Sequence, residues 1–289
     1  MNDAECVTFL QWALPRLRLR WPGFRKVRRQ VCRRIDRRRR ELGLPDLAGY
    51  RAHLEINDEE WAVLDGLCRV TISRFYRDRG VYELLEREVT PELARRALAR
   101  GETELRAWSA GCASGEEPYT LALMWELTLA PRYPGLAFTV LATDLDDAVL
   151  GRARAACFGP GSLKDLPDDW WRRGLVERDG LLCVRPEVRR LVTLRRHDVR
   201  TPAPDGPFDL VLCRNLAFTY FDPELQLEVA RLLARSLRPG GALVVGAHET
   251  LPAAAEEFEP WQAAPSTYRR LARQADRPAM STCLPPRSA

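Results

Sequence analysis

The chain of 289 residues is 46% hydrophobic and has a formal net charge of +5, so it can bury one large core or two smaller ones. It has no apolar run near the ~20 residues of a membrane span, and its acidic start does not resemble a signal peptide. Its eight cysteines are scattered without a Cys-x-x-Cys pair, and it has three histidines, which disfavours a zinc site and favours single buried thiols. We therefore expect a cytoplasmic protein without membrane insertion or a bound metal.

A densely basic segment dominates residues 1–80, which we predict to form a small all-helical domain. Asp36 is the sole acidic residue between Arg16 and Arg40. Apolar residues recur at spacings of three and four from Phe24 to Ile35, as on one face of a helix. The cationic face is either a solvated surface or a surface for an acidic partner. Because no recognition-helix or aromatic-stacking signature accompanies it, we expect no nucleic-acid partner.

Residues 70–78 follow the basic domain and mix hydroxyl groups and arginines among hydrophobic residues. A plain connector would not need so many hydrogen-bonding side chains, which favours a segment that faces a ligand. We predict that residues 81–100 form a helix linking the basic domain to a second domain, 101–273.

A short apolar strand leads into a turn that contains Gly111 and Gly115 and is followed by a helix. Glycines remove side chains where a ligand approaches the backbone, so Gly111 is a candidate binding residue. The turn matches neither the Gly-x-Gly-x-x-Gly dinucleotide motif nor a P-loop with its lysine. Glu116 and Glu117 begin the helix, where carboxylates disfavour a phosphate. The pattern therefore favours a nucleoside without a pyrophosphate.

A second predicted strand, 137–142, leads to Asp144. In doubly wound folds an acid at this position binds the hydroxyls of a ribose. The alternative is that Asp144 or Asp146 caps the next helix. Between 166 and 194 the alternation of strands and helices stops, which we interpret as a β insertion at about 160–195 or a hairpin leading into the third sheet strand.

Polar residues end the later strands of the predicted sheet. Asp198 and Val199 end one strand, and Arg214 and Asn215 end a clear central strand. Open α/β sheets bind their ligands at the carboxyl ends of strands, so both pairs are candidate site residues. The remaining predictions are a sharp turn at 238–241, a last edge strand at 267–271 and a disordered tail at 274–289.

The order of glycine turn, acid after the second strand and polar tip on a central strand resembles the S-adenosylmethionine-dependent methyltransferase fold. More narrowly, the chain resembles the CheR-type chemoreceptor glutamate methyltransferases from about Phe9 to Arg270. The most specific segments are 113–119, 213–221 and 75–78. The resemblance implies an α/β fold: a Rossmann-like methyltransferase sheet with a small β insertion, preceded by a small all-helical N-terminal domain.

The resemblance also implies S-adenosylmethionine as the cofactor, with Asp144 at the ribose and Asp198 near the adenine. It places Arg77 and Tyr220 near the transferred methyl group and the incoming carboxylate. It implies an acidic helical protein substrate, such as the cytoplasmic region of a chemoreceptor, gripped by Arg34, Arg37 and Arg38. The implied cofactor-binding residues, to which the glycine turn adds Gly111, are Thr71, Ser73, Arg77, Glu116, Asp144, Asp198, Val199, Arg214 and Asn215.

Three departures from the family pattern leave the acceptor open. The family has Asn and Thr where this chain has Thr71 and Ser73, and three rather than four residues between Asn215 and Tyr220. Residues 246–250, Gly-Ala-His-Glu-Thr, replace the usual Gly-His-Ser-Glu. A different protein or small-molecule acceptor, or a non-catalytic cofactor-binding adaptor, therefore stays an alternative, as does a purely structural role for the Tyr220 ring. We expect the protein to be a monomer.

Overall fold

The computed structural model describes residues 2–262 and 264–272, so the tail expected at 274–289 lies outside the described residues. Within the described part, no helix is long and apolar enough to cross a membrane. The α-helices are α1 Asp3–Ala13, α2 Trp21–Phe24, α3 Arg28–Glu41, α4 Leu47–Ile56, α5 Asp58–Cys68, α6 Arg79–Leu84, α7 Thr90–Ala99, α8 Glu116–Met124, α9 Asp147–Ala155, α10 Asp168–Gly174, α11 Pro186–Arg189, α12 Ala217–Tyr220 and α13 Pro223–Ser236.

A seven-stranded sheet with the order β6-β2-β1-β7-β8-β10-β9 forms the centre of the molecule. The first five of these strands are parallel, and β10 runs antiparallel to both β8 and β9. Helices flank the sheet, which confirms the predicted α/β fold class and its helical N-terminal region. The strands, including those of a smaller sheet, are β1 Glu104–Ala110, β2 Ala137–Asp144, β3 Cys157–Phe158, β4 Leu175–Arg178, β5 Leu181–Val184, β6 Val192–Arg196, β7 Phe208–Leu212, β8 Leu237–Val244, β9 Phe258–Pro260 and β10 Thr267–Arg270.

The carboxyl-terminal edge of the sheet differs from the prediction. Strand β10 is not the edge strand, because β9 pairs with its outer side. The turn predicted at 238–241 is a bulge within β8, where Phe208 pairs with Leu237 and Leu210 with Ala242. Neither difference moves the polar ends of β1, β2 and β7, which are neighbours in the sheet.

The N-terminal helices are defined by caps and by apolar faces. Asn2 forms a capping box with Glu5 at the start of α1, and Asp46 caps α4 through the Gly49 N–H. These side chains satisfy N–H groups that have no partner within the helix. The link between the two regions is a helical run, α6 and α7 joined by a π-helical stretch over Leu85–Val89.

One hydrophobic cluster continues from the helical region into the sheet. Phe9, Ile35 and Tyr50 from the helices belong to the same cluster as Trp108 and Val211 from β1 and β7. All five side chains are buried. The N-terminal helices are therefore fastened to one face of the sheet rather than tethered beside it.

A second, three-stranded sheet of order β3-β5-β4 forms the β insertion. It ends before the predicted boundary at about 195, because β6 pairs with β2 in the main sheet. Cys157 and Cys183 are paired across β3 and β5 as a disulfide, and Cys6 and Cys32 join α1 to α3. The prediction of single thiols is wrong for these four residues, since their sequence spacing gives no sign of which strands and helices become neighbours.

Candidate cofactor and active site

A cleft with two connected halves lies at the carboxyl ends of the parallel strands. Val70, Gly111, Asp144 and Leu216 line both halves. These four residues come from the segment 69–78 between α5 and α6, which we call the strap, and from the ends of β1, β2 and β7. The two halves therefore form one site. We call them the apolar half, lined chiefly by Leu19, Phe24, His197, Val199, Tyr220 and Phe221, and the polar half, lined chiefly by Ser73, Arg77, Tyr82, Ala113, Glu117 and Asn215.

The glycine turn between β1 and α8 forms the floor where the two halves meet. The Gly111 and Cys112 N–H groups both donate to the Thr143 carbonyl at 2.8 Å, which ties the turn to the end of β2. Gly111 has a φ of 81°, and a Cβ there would lie 2.3 Å from Leu216 Cδ2. The left-handed φ therefore favours glycine at 111, and any side chain there would also have to displace the end of Leu216.

Asp144 occupies the junction of the two halves. Its carboxylate accepts hydrogen bonds from the Ala113 N–H at 2.9 Å and the Asp146 N–H at 3.0 Å. The cap of α9 is instead Asp146, whose side chain accepts from the Ala148 N–H. Burial raises the pKa of Asp144, although these backbone N–H groups oppose the rise. The carboxylate is thus free of the capping role that was the alternative to ligand binding.

Asp198 and Val199 line the apolar half, but the Asp198 carboxylate already has protein partners. The Arg200 N–H and Nε donate to it at 2.9 and 3.0 Å, and the Arg200 guanidinium also pairs with Asp65 of α5 at 3.2 Å. Burial raises the pKa of Asp198, yet the bonds from Arg200 outweigh burial and hold the pKa below its ordinary value. Arg200 thereby joins the helical region to the wall of the cleft.

Arg214 belongs to the cleft, but its guanidinium is turned into the protein. It donates to the Asp78 carboxylate and the Arg77 carbonyl at 2.8 Å, and to Glu117 and the Tyr82 hydroxyl at 3.2 Å. The side chain is 2% exposed. Burial alone would lower the pKa of Arg214, but the surrounding acids and tyrosine raise it above the ordinary value. Arg214 therefore fastens the start of α6 to the sheet.

The two glutamates that begin α8 differ in how well their carboxylates are satisfied. Glu117 accepts from the Ser109 hydroxyl at 2.8 Å and from Arg214. Glu116 has a weak contact to the Ser162 hydroxyl at 3.5 Å, and its buried Oε2 has no hydrogen-bond partner in the described part of the chain. Burial raises the pKa of both carboxyl groups. An unpaired buried carboxylate oxygen is costly unless a ligand supplies a donor.

The strap after α5 crosses the cleft and contributes to both halves. Thr71 lines the apolar half, and Ser73 and Arg77 line the polar half. The Arg77 guanidinium donates to the Ile72 carbonyl at 2.9 Å. Within residues 2–262 and 264–272 it forms no ion pair with a carboxylate, so donors of the guanidinium stay available to a ligand.

Tyr220 is among the residues that line the apolar half. Its ring packs edge-on against Phe24 with the centroids 5.0 Å apart. Burial raises the pKa of the Tyr220 hydroxyl, while the positive charge of Arg77 acts in the opposite direction. The ring is thus both packed at the strand–helix corner and exposed to the cleft, so the two interpretations of Tyr220 are compatible.

The three arginines assigned to substrate binding lie outside the cleft and are not equivalent. Arg34 donates to the Leu67 and Arg69 carbonyls, and Arg38 donates to the buried Glu60 carboxylate at 2.7 and 3.0 Å. Arg37 is 77% exposed and lies 3.6 Å from Glu41. The structure therefore assigns Arg34 and Arg38 to internal bonds and leaves Arg37 on the surface.

Sequence reasoning missed several residues that shape the site. Arg200 joins Asp65 to Asp198, and Arg20 and Glu249 bond to the segment that carries Tyr220. The His197 imidazole lines the apolar half, and burial lowers its pKa. The changed Gly-Ala-His-Glu-Thr motif marked the position of Glu249, but no sequence signal marked Arg20.

The geometry restricts the ligand that the cleft can hold. One half offers apolar packing together with the Asp144 carboxylate, and the other offers the carboxylates of Asp144 and Glu117. Glu116, with its unpartnered Oε2, precedes Glu117 at the start of α8 but is not among the described residues that line either half. Glu116 and Glu117 at the start of α8 disfavour a phosphate there and suit a cation. The fold and the site thus define a nucleoside-binding α/β domain for a cationic, phosphate-free ligand, which fits S-adenosylmethionine.

Comparison with known proteins identifies one family. The profile of the CheR methyltransferase, SAM binding domain, matches residues 71–266. A chemotaxis protein methyltransferase of Listeria innocua is 36% identical over 64% of this chain and 67% of its own length, and that of Escherichia coli is 33% identical over 77% and 76%. An uncharacterized 104.1 kDa protein of Rhodobacter capsulatus is 35% identical over 83% of this chain, which matches only 26% of that protein. This chain belongs to the CheR methyltransferase family.

Proposed function

We propose that the chain transfers the methyl group of S-adenosylmethionine to a glutamate side-chain carboxylate of a protein. The observation that carries the proposal is the two-part cleft, in which Arg77 lines the polar half, Tyr220 lines the apolar half and Asp144 lines both. The family match covers all of these residues. The relatives named chemotaxis protein methyltransferase support a chemoreceptor as the acceptor.

The residues of the cleft fit the parts of the cofactor. Val199 and Leu216 would pack against the adenine, and Asp144 would accept hydrogen bonds from the ribose hydroxyls. Glu116 Oε2, which has no partner among the described residues, would accept from the ammonium group. Thr71 and Ser73 of the strap would close over the cofactor from the other side.

Bound S-adenosylmethionine supplies a methyl group on a positively charged sulfur, which is already activated for transfer. A glutamate carboxylate is ionised at pH 7, since its ordinary pKa is about 4.3, so the chain needs no strong base. The guanidinium of Arg77 orients the carboxylate by paired hydrogen bonds. The Tyr220 hydroxyl donates a further bond, and the cleft walls remove water from the acceptor.

The outward face of α3 is the surface that we propose for the acidic acceptor. Arg29, Arg33 and Arg37 recur at every fourth position and are exposed. Neither Arg29 nor Arg33 has an ion-pair partner in the described part of the chain, and Arg37 has a long contact to Glu41. Arg34 connects this helix to the strap through the Arg69 carbonyl. We therefore propose Arg29, Arg33 and Arg37 in place of the three residues inferred from the resemblance, since two of those, Arg34 and Arg38, are bonded internally.

A methyl-transfer assay, followed by alkaline hydrolysis of the labelled product, tests the proposal. The chain is incubated with S-adenosylmethionine labelled in its methyl group and an acidic helical peptide whose glutamates flank alanines. We expect label on the peptide that is released as volatile methanol by mild alkali, because a carboxyl methyl ester hydrolyses and an N-methyl group does not. The matched peptide with glutamine in place of glutamate should stay unlabelled. Two outcomes would contradict the proposal. One is a label that resists alkali, and the other is the absence of label both on this peptide and on the proteins of a cell lysate.

A further inference from the structure

The segment from Leu216 to Phe221 carries Tyr220. It forms α12, a single helical turn in which the Thr219 and Tyr220 N–H groups donate to the Leu216 carbonyl at 3.2 and 2.9 Å. One turn has few internal hydrogen bonds, so its conformation depends on contacts from outside. Two charged side chains supply those contacts from opposite directions.

Glu249 holds the start and middle of the segment. Its carboxylate accepts hydrogen bonds from the Asn215 N–H at 2.7 Å, the Gly246 N–H at 2.6 Å and the Thr219 hydroxyl. The residue is 6% exposed, and within the described ranges it forms no ion pair. Asn215 has a φ of 53°, a left-handed conformation that asparagine tolerates better than most residues. These three donors therefore satisfy the buried Glu249 carboxylate and attach the turn to it.

Arg20 holds the end of the segment from the helical region. Its guanidinium donates to the Phe218 and Thr219 carbonyls, and its backbone N–H donates to the Tyr220 carbonyl at 2.8 Å. In the described part of the chain Arg20 has no carboxylate partner, so carbonyl groups at the end of α12 are its acceptors. A cation at a helix carboxyl end is electrostatically favourable.

The backbone of α2 lies directly against the same segment. A Cβ at Gly23 would lie 2.4 Å from the Thr219 carbonyl oxygen, which leaves no room for a side chain. The following residue, Phe24, supplies the ring that packs against Tyr220. Arg20, Gly23 and Phe24 thus form one contact surface under the turn.

We propose that Arg20 and Glu249 are positioning residues that clamp this turn and set the place of Tyr220 and Asn215 in the cleft. The proposal rests on the proposed function for the role of Tyr220 in methyl transfer. Through Arg20, the helical region contributes to the arrangement of the active site as well as to acceptor binding.

The Arg20→Gln variant tests one side of the clamp, with Arg18→Gln as its matched control. Arg18 lies two residues away and pairs with Glu228 at 2.9 Å and with Asp222, just after the segment, at 3.7 Å, and no hydrogen bond or ion pair joins its side chain to α12 within the described residues. We expect Arg20→Gln to lower kcat for methyl transfer about tenfold or more, because small misplacements of an orienting group are costly. The Kd for S-adenosylmethionine and the unfolding midpoint should stay near those of Arg18→Gln. Equal kcat values for the two variants would overturn the proposal.

The Glu249 side is tested by a pair of substitutions. Glu249→Ala removes all three acceptor contacts and should lower kcat at least as much as Arg20→Gln. Glu249→Gln keeps an oxygen for the Asn215 and Gly246 N–H groups, and the Thr219 hydroxyl can turn to accept, so this variant should recover most of the wild-type kcat. Failure of glutamine to recover activity in a stably folded variant would contradict the clamp.

Amide hydrogen exchange keeps this inference separate from the proposed function. Arg20→Gln should speed exchange in residues 217–221 about tenfold relative to Arg18→Gln, with no change in β1 or β7. If wild-type protein transfers no methyl group but this exchange result is obtained, the proposed function fails and the clamp stands. Unchanged exchange would overturn the clamp whatever the activity.

Discussion

At the scale of single residues, the charged side chains of the cleft fall into two groups according to where their partners lie. The Asp198 carboxylate and the two terminal nitrogens of Arg214 bond to protein atoms, while the buried Arg214 Nε has no partner among the described residues, and both side chains hold pieces of the site together. Glu116 Oε2 lacks a partner among the described atoms, and Arg77 has a carbonyl as its hydrogen-bond acceptor. An unpaired buried carboxylate oxygen costs free energy, and the partly exposed Arg77 guanidinium has donors to spare, so a charged ligand gains most at these two groups.

Arg77 is a charged hydrogen-bond donor and Tyr220 a neutral one, which predicts that their substitutions lower kcat/KM to different extents. Arg77→Gln should lower kcat/KM about 100-fold, since paired hydrogen bonds to a charged acceptor are lost. Tyr220→Phe should lower it about tenfold or less, because one bond from a neutral hydroxyl is worth roughly 1 kcal/mol. Steady-state kinetics with the acidic peptide measure both. If Tyr220→Phe abolishes transfer and Arg77→Gln does not, the tyrosine is a required acid or base.

Individual residues also show what the sequence can and cannot reveal. Gly111, Asp144 and Asn215 were predicted because their positions after strands place them at one edge of a sheet. Arg214 was assigned to the cofactor, yet its direction depends on Asp78 and Tyr82, which approach it from a distant part of the chain. A residue's position follows from local pattern, but its bonding partners follow from packing.

At the scale of elements, α3 divides its arginines between two tasks. Its inner side contains Arg38, which bonds to the buried Glu60 of α5, and Glu60 also accepts from the Tyr50 hydroxyl at 2.8 Å. Its outer side presents Arg29, Arg33 and Arg37 (in the last case with a neighbouring Glu41). The helical period predicted the helix correctly, but it could not separate inner from outer arginines, because Glu60 is remote in sequence.

This division predicts a pH-dependent effect on stability. Arg38→Gln leaves Glu60 buried without its cation and should lower the free energy of unfolding by about 2 kcal/mol at pH 7. The hydrogen bond from Arg38 holds the pKa of Glu60 below its ordinary value. The stabilisation is therefore present above the unfolded pKa of about 4.3 and is lost as the pH falls through the folded pKa.

Urea unfolding at pH 7 and at about pH 3.5 measures this effect. The gap between wild type and Arg38→Gln should narrow at the lower pH. Arg37→Gln is the matched control. Its free energy of unfolding should differ from that of the wild type by less than about 0.5 kcal/mol at both pH values, since the ion pair of Arg37 with Glu41 is exposed. A gap that is as large in acid as at neutral pH would show that the pair does not carry the effect.

At the scale of the whole molecule, the helical region and the sheet form one folded unit around the cleft. They share a hydrophobic cluster, and Arg200 and Arg20 cross between them by hydrogen bonds. The sequence predicted two regions with different roles, and it could not predict how closely they join. The two regions are joined by contacts such as that between Arg18 and Glu228, two residues that are 210 positions apart in the sequence.

The placement of the cationic face predicts a separation of acceptor and cofactor effects. The double reversal Arg29→Glu with Arg33→Glu should raise KM for the acidic peptide about tenfold and leave the Kd for S-adenosylmethionine within about twofold. The double reversal Arg231→Glu with Arg235→Glu on α13 changes the net charge equally and should leave KM unaltered. If both pairs raise KM alike, net charge rather than this face attracts the acceptor.

Calorimetry with S-adenosylmethionine tests the central claim most directly, with Asp144→Ala and Asp146→Ala compared with wild type. We predict binding of one cofactor per chain, at least tenfold weaker in Asp144→Ala because the carboxylate at the junction of the cleft is lost. Asp146→Ala should bind as wild type does while losing about 1 kcal/mol of stability, since it removes the cap of α9. No binding by the wild-type chain, or equal loss of affinity in the two variants, would contradict the assignment of this cleft.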